Sequence, residues 1–302
     1  LVTSRRRSAR RRLLAVSGGI VADLVVGEPP LSPHPVRLFG SFMNSVERHL
    51  WADDRARGVA HAALGVAASA TAGGLLGSTA GATYLSVAGR ALREAATAVA
   101  DSLAAGDLAG ARVGVRALVG RDPDSLDEAG IARAVVESVA ENTVDAVVAP
   151  ALAGALGGAP GALAYRGVNT LDSTVGYRNE RYARYGWASA RLDDLANWVP
   201  ARVTAGLVAV VRPGAAGGVW RAVRDDAPAH PSPNAGVAEA AFAAALGLEL
   251  GGVTVYAGVV EDRPRLGRGR PPEVHDVVAA CRLSRDVTVA LAAALALAGV
   301  TW

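Results

Sequence analysis

Long apolar runs alternate along this chain with short, densely polar islands. Residues 59–89 contain no Asp, Glu, Arg or Lys, a run of 31 residues, which is long enough to cross a bilayer as a helix. Within it Gly73, Gly77 and Gly81 recur every four residues, a spacing that predicts close approach of a second helix. A second uncharged run, residues 146–165, is 20 residues long, and its Pro150, Pro160 and glycines predict kinks. Shorter apolar runs follow at 203–211 and 287–302. Residues 13–27 form another, preceded by six arginines in eight residues, Arg5 to Arg7 and Arg10 to Arg12. A signal peptide would start this way, but Asp23 and the lack of an Ala-x-Ala cleavage site favour a retained first membrane segment with its arginines on the cytoplasmic side. The chain begins with Leu, so the true start is expected to differ.

Between these runs, residues 90–140 space acids and arginines among Ala, Val and Leu in the manner of amphipathic helices. Residues 253–260 suit a short strand, and the Arg, Gly and Pro-rich 263–272 an exposed turn. The pattern predicts a mainly α, polytopic integral membrane protein. It forms a single domain over 1–302, with an Arg-rich N-terminal extension at 1–12 and an extramembrane helical section at 90–140.

Composition supports this: 51% of residues are hydrophobic and 20% charged. The net charge of +3 comes from arginines largely interleaved with acids, which argues against nucleic acid as a partner. The one cysteine, Cys281, excludes a disulfide framework and a Cys-based zinc site. No lysine occurs, so a Walker-type phosphate loop is absent, as are the Gly-x-Ser-x-Gly elbow, the His-Glu-x-x-His helix and the dinucleotide fingerprint.

Four polar islands carry the candidate chemistry, because an ionisable group at membrane depth must pair, face water or bind something. In Asp23-Leu-Val-Val-Gly-Glu-Pro-Pro-Leu-Ser-Pro-His-Pro-Val-Arg37, prolines fix an extended path that holds Glu28, His34 as proton carrier and Arg37 as anion clamp. In Glu137-Ser-Val-Ala-Glu141-Asn-Thr-Val-Asp145, four-residue spacing puts three carboxylates on one helical stripe, which calls for a cation such as Mg²⁺ or an arginine. The third island runs from Tyr165 through Asn169, Asp172, Tyr177, Arg178, Arg181 and Tyr182 to Asp193-Asp194, Asn197, Trp198 and Arg202. Its aromatics are either an interfacial belt or the walls for a large flat ligand, and Asp193-Asp194 with Asn197 one turn on suits a metal-phosphate grip. The fourth is Arg224-Asp225-Asp226-Ala-Pro-Ala-His230-Pro-Ser232-Pro-Asn234-Ala-Gly236, with Glu239 further on; Ser232 or Asn234 can cap the Ala-rich helix that follows, whose first N–H groups make an anion pocket.

Taken in this order, the islands resemble the CobD/CbiB family over nearly the whole chain. The residues that carry it are Asp23 to Arg37, Glu137 to Asp145, Asn169-Thr-Leu-Asp-Ser-Thr-Val-Gly-Tyr177, Arg191-Leu-Asp-Asp-Leu-Ala-Asn-Trp198 with Pro200 and Arg202, and the His230 island. Glu28 departs from the Asp usual there, and the Arg-rich start looks particular to this chain. The resemblance implies a multi-pass enzyme of the inner (cytoplasmic) membrane, in contact with lipid and associated with other membrane enzymes of the cobalamin pathway. It implies adenosylcobinamide-phosphate synthase activity: ATP joins the carboxylate of a corrinoid, adenosylcobyric acid, to an amino-alcohol, commonly (R)-1-aminopropan-2-yl phosphate. Mg²⁺ is the expected cofactor and ATP the co-substrate. Glu137, Glu141, Asp193 and Asp194 are candidates for Mg²⁺-nucleotide binding, with Glu141, Asp172 and His230 as catalytic groups. Arg178, Arg181 and Arg202 are candidate phosphate contacts; His34, Arg37, Asn169, Ser232 and Asn234 are further substrate contacts, and Tyr177, Tyr182 and Trp198 line the corrin site. A membrane prenyltransferase-like enzyme, or a non-catalytic membrane sensor on the same scaffold, are the alternatives.

Overall fold

A computed structural model describes residues 2–119, 126–177, 179–256 and 259–301. In chain order the α-helices are α1 (Val2–Val26), α2 (Pro35–Leu50), α3 (Arg55–Leu76), α4 (Thr79–Ser86), α5 (Gly89–Ala104), α6 (Leu108–Val115), α7 (Glu128–Thr143), α8 (Ala149–Val175), α9 (Trp187–Val211), α10 (Ala216–Asp225), α11 (Ala235–Leu246) and α12 (Val274–Thr301). A π-helical turn, Val144–Val148, joins α7 to α8. One antiparallel hairpin, β1 (Leu250–Tyr256) and β2 (Val259–Leu266), precedes α12. The mainly α expectation therefore holds.

Among the described residues, three stretches are long and apolar enough to cross a membrane: Arg55–Leu76, the composite Glu128–Val175 and Val274–Thr301. A fourth forms if Trp187–Val211 and Pro213–Ala229, bent by 112°, count as one. Helix α1 is not among them, contrary to the expected first span, because its apolar part is short and its N-terminal half is arginine-rich.

The chain divides into two compact units. The first gathers Leu1–Ala88, Asp145–Trp198 and Ala292–Trp302. Here α3 packs along α8, and α4 lies against both α1 and α8, around fully buried Ile20, Met43 and Leu171. Each such side chain contributes about 1.5–3 kcal/mol by leaving water. The uncharged run 59–89 does not form one span: α3 stops at Gly77, whose φ of 67° is open chiefly to glycine, and Ser78 then caps α4 by accepting from the Gly81 N–H. Of the three spaced glycines, only Gly73 serves close approach, since a Cβ there would sit 2.4 Å from the Ala159 carbonyl oxygen.

The second unit holds Gly89–Val144 and Val199–Leu291. Helices α5, α6 and α7 pack together, and α11 packs on α7 and α10, around buried Ile131, Phe242, Leu248 and Leu283. The amphipathic 90–140 section is thus helical as expected, and its last helix begins at Glu128 under an Asp127 cap; Asp124 and Ser125, the caps that the sequence suggests for it, lie outside the described residues. The strand expected at 253–260 is two strands, and Arg263 to Leu266, read as turn, belong to β2. Pro264 is tolerated there because a two-stranded sheet has only edges. Asp276 closes the N-terminus of α12: it accepts the Glu273 N–H at 2.7 Å and a bidentate pair from Arg270 at 2.7 and 2.9 Å.

Candidate functional site

On a helix, positions i, i+4 and i+7 share a face. In α8 these are Tyr165, Asn169 and Asp172; in α9 Asn197 lies four residues after Asp193 and three after Asp194, within reach of both. The two faces meet within the first unit. The Tyr165 hydroxyl donates to Asn197 Oδ1 at 2.7 Å, and Asn197 Nδ2 donates to Asp193 Oδ2 at 3.0 Å. Asn169 Nδ2 donates to Asp145 Oδ2 at 3.4 Å and lies near enough to Asp193 to interact with it. Tyr165 and Asn197 are buried, so this relay is fixed where an unmade hydrogen bond would be costly.

Around the relay, Asp172, Asp193 and Asp194 act on one another electrostatically. Arg166 feels Asp145 and, from the first island, Glu28. On these two helices Asp193 Oδ1 and Arg166 Nε are buried without a hydrogen-bond partner among the described residues. A buried carboxylate oxygen and a buried guanidinium nitrogen left unpartnered on these two helices suit a site that a polar ligand completes.

The π-turn explains how Asp145 arrives. Its wider register breaks the four-residue stripe that a regular helix would give Glu137, Glu141 and Asp145, and such turns recur at functional sites. Asp145 faces Asn169. Glu137, in the second unit, accepts the Gly251 N–H at 2.9 Å, while Arg133 donates to the Gly251 and Val253 carbonyls at 2.9 and 3.2 Å. Glu137 thus clips α7 to β1, and Glu141 is exposed.

Other predicted site residues have local duties. Arg181 and Tyr182 both donate to Glu47 Oε1, at 2.9 and 3.0 Å, and the Arg181 guanidinium lies 4.7 Å over the Trp51 ring. That carboxylate raises the Arg181 pKa further above its ordinary value. His34 caps α2 by accepting the Val36 N–H at 3.4 Å, with Pro35 as the first helical residue, so the extended island ends in a helix. Arg37, Tyr177 and Trp198 are exposed, and Arg178 lies outside the described residues.

In the second unit, Ser232 Oγ accepts the N–H groups of Asn234 and Ala235 at 3.3 and 3.1 Å, which braces the turn leading into α11, whose N-cap is Asn234. The Ser232 N–H donates to His230 Nδ1 at 3.1 Å, and Nε2 stands 3.9 Å from Glu239 Oε2. The Ser232 carbonyl oxygen lies 3.2 Å from the same Nδ1, so either tautomer of the ring finds a partner within this turn. Arg202 donates to Asn234 Oδ1 and the Pro233 carbonyl, each at 3.3 Å, and so ties α9 to the turn.

Sequence reasoning did not single out Arg166, or Glu47 as the partner of Arg181 and Tyr182. It treated Asn197 as a metal ligand, whereas both polar ends of its amide are engaged, by Tyr165 and by Asp193. Among the described residues no three His, Cys, Asp or Glu side chains form a ready metal cage. Mg²⁺ seldom needs one, since it takes one or two carboxylates and completes its shell with water and substrate phosphate. Asp193, with its free Oδ1, beside Asp172 and Asp194 fits that demand.

Comparison with known proteins bears on what this arrangement serves. The family described as "CobD/Cbib protein" matches residues 16–284. The chain belongs to the CobD/CbiB family. "Cobalamin biosynthesis protein CobD" of Mycobacterium tuberculosis (strain CDC 1551 / Oshkosh) is 46% identical over 91% of this chain and 92% of the relative. Those of the same description from Geobacter metallireducens and Chromobacterium violaceum are 44% and 42% identical, over 82% and 87% of this chain and 84% and 89% of theirs. No solved structure matches the chain. The family match runs through both units, so the Tyr165 relay and the His230 turn both belong to the family's span.

Proposed function

We propose that this protein is an integral membrane enzyme of cobalamin biosynthesis that uses ATP to join adenosylcobyric acid to an aminopropanol, commonly (R)-1-aminopropan-2-yl phosphate, as an amide. The observation that carries the reading is the Tyr165–Asn197–Asp193 relay. It holds a carboxylate with one unpartnered oxygen near Asp172 and Asp194, in a family whose named members act in cobalamin biosynthesis.

The chemistry needs two steps. A carboxylate is a poor electrophile, so its oxygen first attacks the γ-phosphorus of ATP, giving an acyl phosphate and ADP. The amine nitrogen then attacks the acyl carbon, the C–O bond to phosphate breaks, and inorganic phosphate leaves. The amine arrives as an ammonium and must lose a proton before it attacks. Asp172 suits that role because it lies near Asp193 and Asp194, the carboxylates proposed here for the metal. Asp193 and Asp194 would hold Mg²⁺, which neutralises phosphate charge when bound. Asn197 fixes the Asp193 rotamer, and Arg166 offers an unpartnered Nε to an anionic group.

The test is amide formation by membranes carrying the full chain, supplied with adenosylcobyric acid, aminopropanol phosphate and Mg-ATP. Product should form with stoichiometric ADP, and Asp193→Asn and Asp172→Asn should each lower its rate by about 10²–10⁴-fold. Wild-type rates in both variants, or no product at all, would overturn the reading. Turnover of an isoprenoid diphosphate without ATP would replace it by the prenyltransferase alternative.

A further inference from the structure

The arginine-rich start of α1 is not used by the reading above. Arg7, Arg11 and Arg12 recur at spacings of four and one, which sets them on one side of α1. Together with Ser8 they line a cavity of about 700 Å³ whose opposite wall is Ser78, Thr79 and Ala80, the start of α4. Among the described residues no carboxylate pairs with any of these three arginines. Arg12 Nε is buried and has no hydrogen-bond partner.

Three features of the cavity have the same sign. The arginines bring positive charge and fork-shaped donors, the geometry that matches phosphate oxygens. The first N–H groups of α4, those of Thr79 and Ala80, lack partners within the helix, and the helix dipole is positive at that end. The hydroxyls of Ser8 and Thr79 add neutral donors. Gly158, at the break in α8 with a φ of 65°, borders the same place: a Cβ there would lie 3.4 Å from Thr79 Oγ1 and 3.6 Å from Arg12 Cδ. Three cations at one open cavity, with no carboxylate partner among the described residues, repel one another, and an anion relieves that repulsion.

We infer that the cavity between the α1 arginines and the start of α4 is a phosphate-binding site. The phosphate is supplied either by the headgroup of an anionic phospholipid or by a soluble phosphate compound. The site involves neither Asp172 nor Asp193, so its failure would leave the proposed reaction standing.

The experiment uses the full chain in nanodiscs. One arm compares phosphatidylglycerol with phosphatidylcholine retained on the protein by native mass spectrometry. The other titrates sodium pyrophosphate into phosphatidylcholine nanodiscs by calorimetry. A preference for phosphatidylglycerol of at least about tenfold is expected if lipid is the source; saturable pyrophosphate binding is expected if the source is soluble, and either result supports the site. Arg7→Gln/Arg11→Gln/Arg12→Gln together should abolish the signal. Ser8 is exposed, so Ser8→Asp should place a competing carboxylate in the cavity without disturbing packing, and it reads the site even where the triple variant fails to fold. A wild-type protein that discriminates neither probe, or a folded Ser8→Asp protein that binds like wild type, overturns the inference.

Discussion

The phenol of Tyr165 and the amide of Asn197, 32 residues apart in sequence, meet at 2.7 Å in the buried part of the first unit. Because Asn197 in turn donates to Asp193, one hydroxyl on α8 controls the orientation of a carboxylate on α9. Tyr165→Phe removes the donor and leaves Asn197 Oδ1 buried and unsatisfied. A loss of about 1–3 kcal/mol in stability is expected, read by thermal unfolding in detergent. Against Asn197→Ala, a double-mutant cycle should show a coupling of about 0.5–3 kcal/mol; strictly additive effects would mean that the relay is not a unit.

Tyr185 supplies a pH prediction. Burial, reinforced by the Glu47 charge, pushes its phenol up to about 12, against an ordinary value of about 10. The folded state thus prefers the neutral phenol. This contribution is complete below pH about 10 and is lost as pH rises towards about 12. The hydroxyl has no hydrogen-bond partner among the described residues, so Tyr185→Phe should keep neutral-pH stability within about 1 kcal/mol and blunt the alkaline loss. Ultraviolet titration of tyrosinate, with unfolding followed at each pH, measures both.

Glu137 separates a structural from a metal-binding role. Glu137→Ala should expose the Gly251 amide to faster hydrogen exchange and cost about 1–3 kcal/mol. Glu137→Gln keeps an acceptor oxygen for that N–H, so it should preserve protection and the Mg²⁺ dependence of amide formation. Weakened Mg²⁺ dependence with intact protection would reassign Glu137 to the metal.

Gly73 tests how closely α3 lies on α8. Gly73→Val would drive a side chain into the Ala159 carbonyl, 2.4 Å from the ideal Cβ, and should cost at least about 1–3 kcal/mol. Gly74, next to it, has nothing within 4 Å, so Gly74→Ala should be neutral or slightly stabilising. Equal unfolding temperatures for the two variants would contradict this packing.

The helical character of the protein and the positions of its polar islands are legible in the sequence. Both follow from local rules: apolar runs of bilayer length, four-residue spacing and Pro or Ser at helix starts are properties of neighbouring residues. The positions Asn169, Asp172, Asp193 and Asp194 were legible in this way, because polar groups flanked by apolar runs must have a reason to be there.

What only the tertiary structure decided is which of these groups meet. Nothing local distinguishes Asn197, whose amide is fully engaged, from Asp193, which keeps one oxygen unpartnered. The π-turn that sets Asp145 apart from Glu137 and Glu141 is invisible to a pattern that assumes a regular helix. Glu47, 134 residues before Arg181, receives that guanidinium only because α2 and the segment after α8 come together. Hydrogen-bond partners distant in sequence are fixed by packing, and packing depends on the whole unit rather than on any window of the chain.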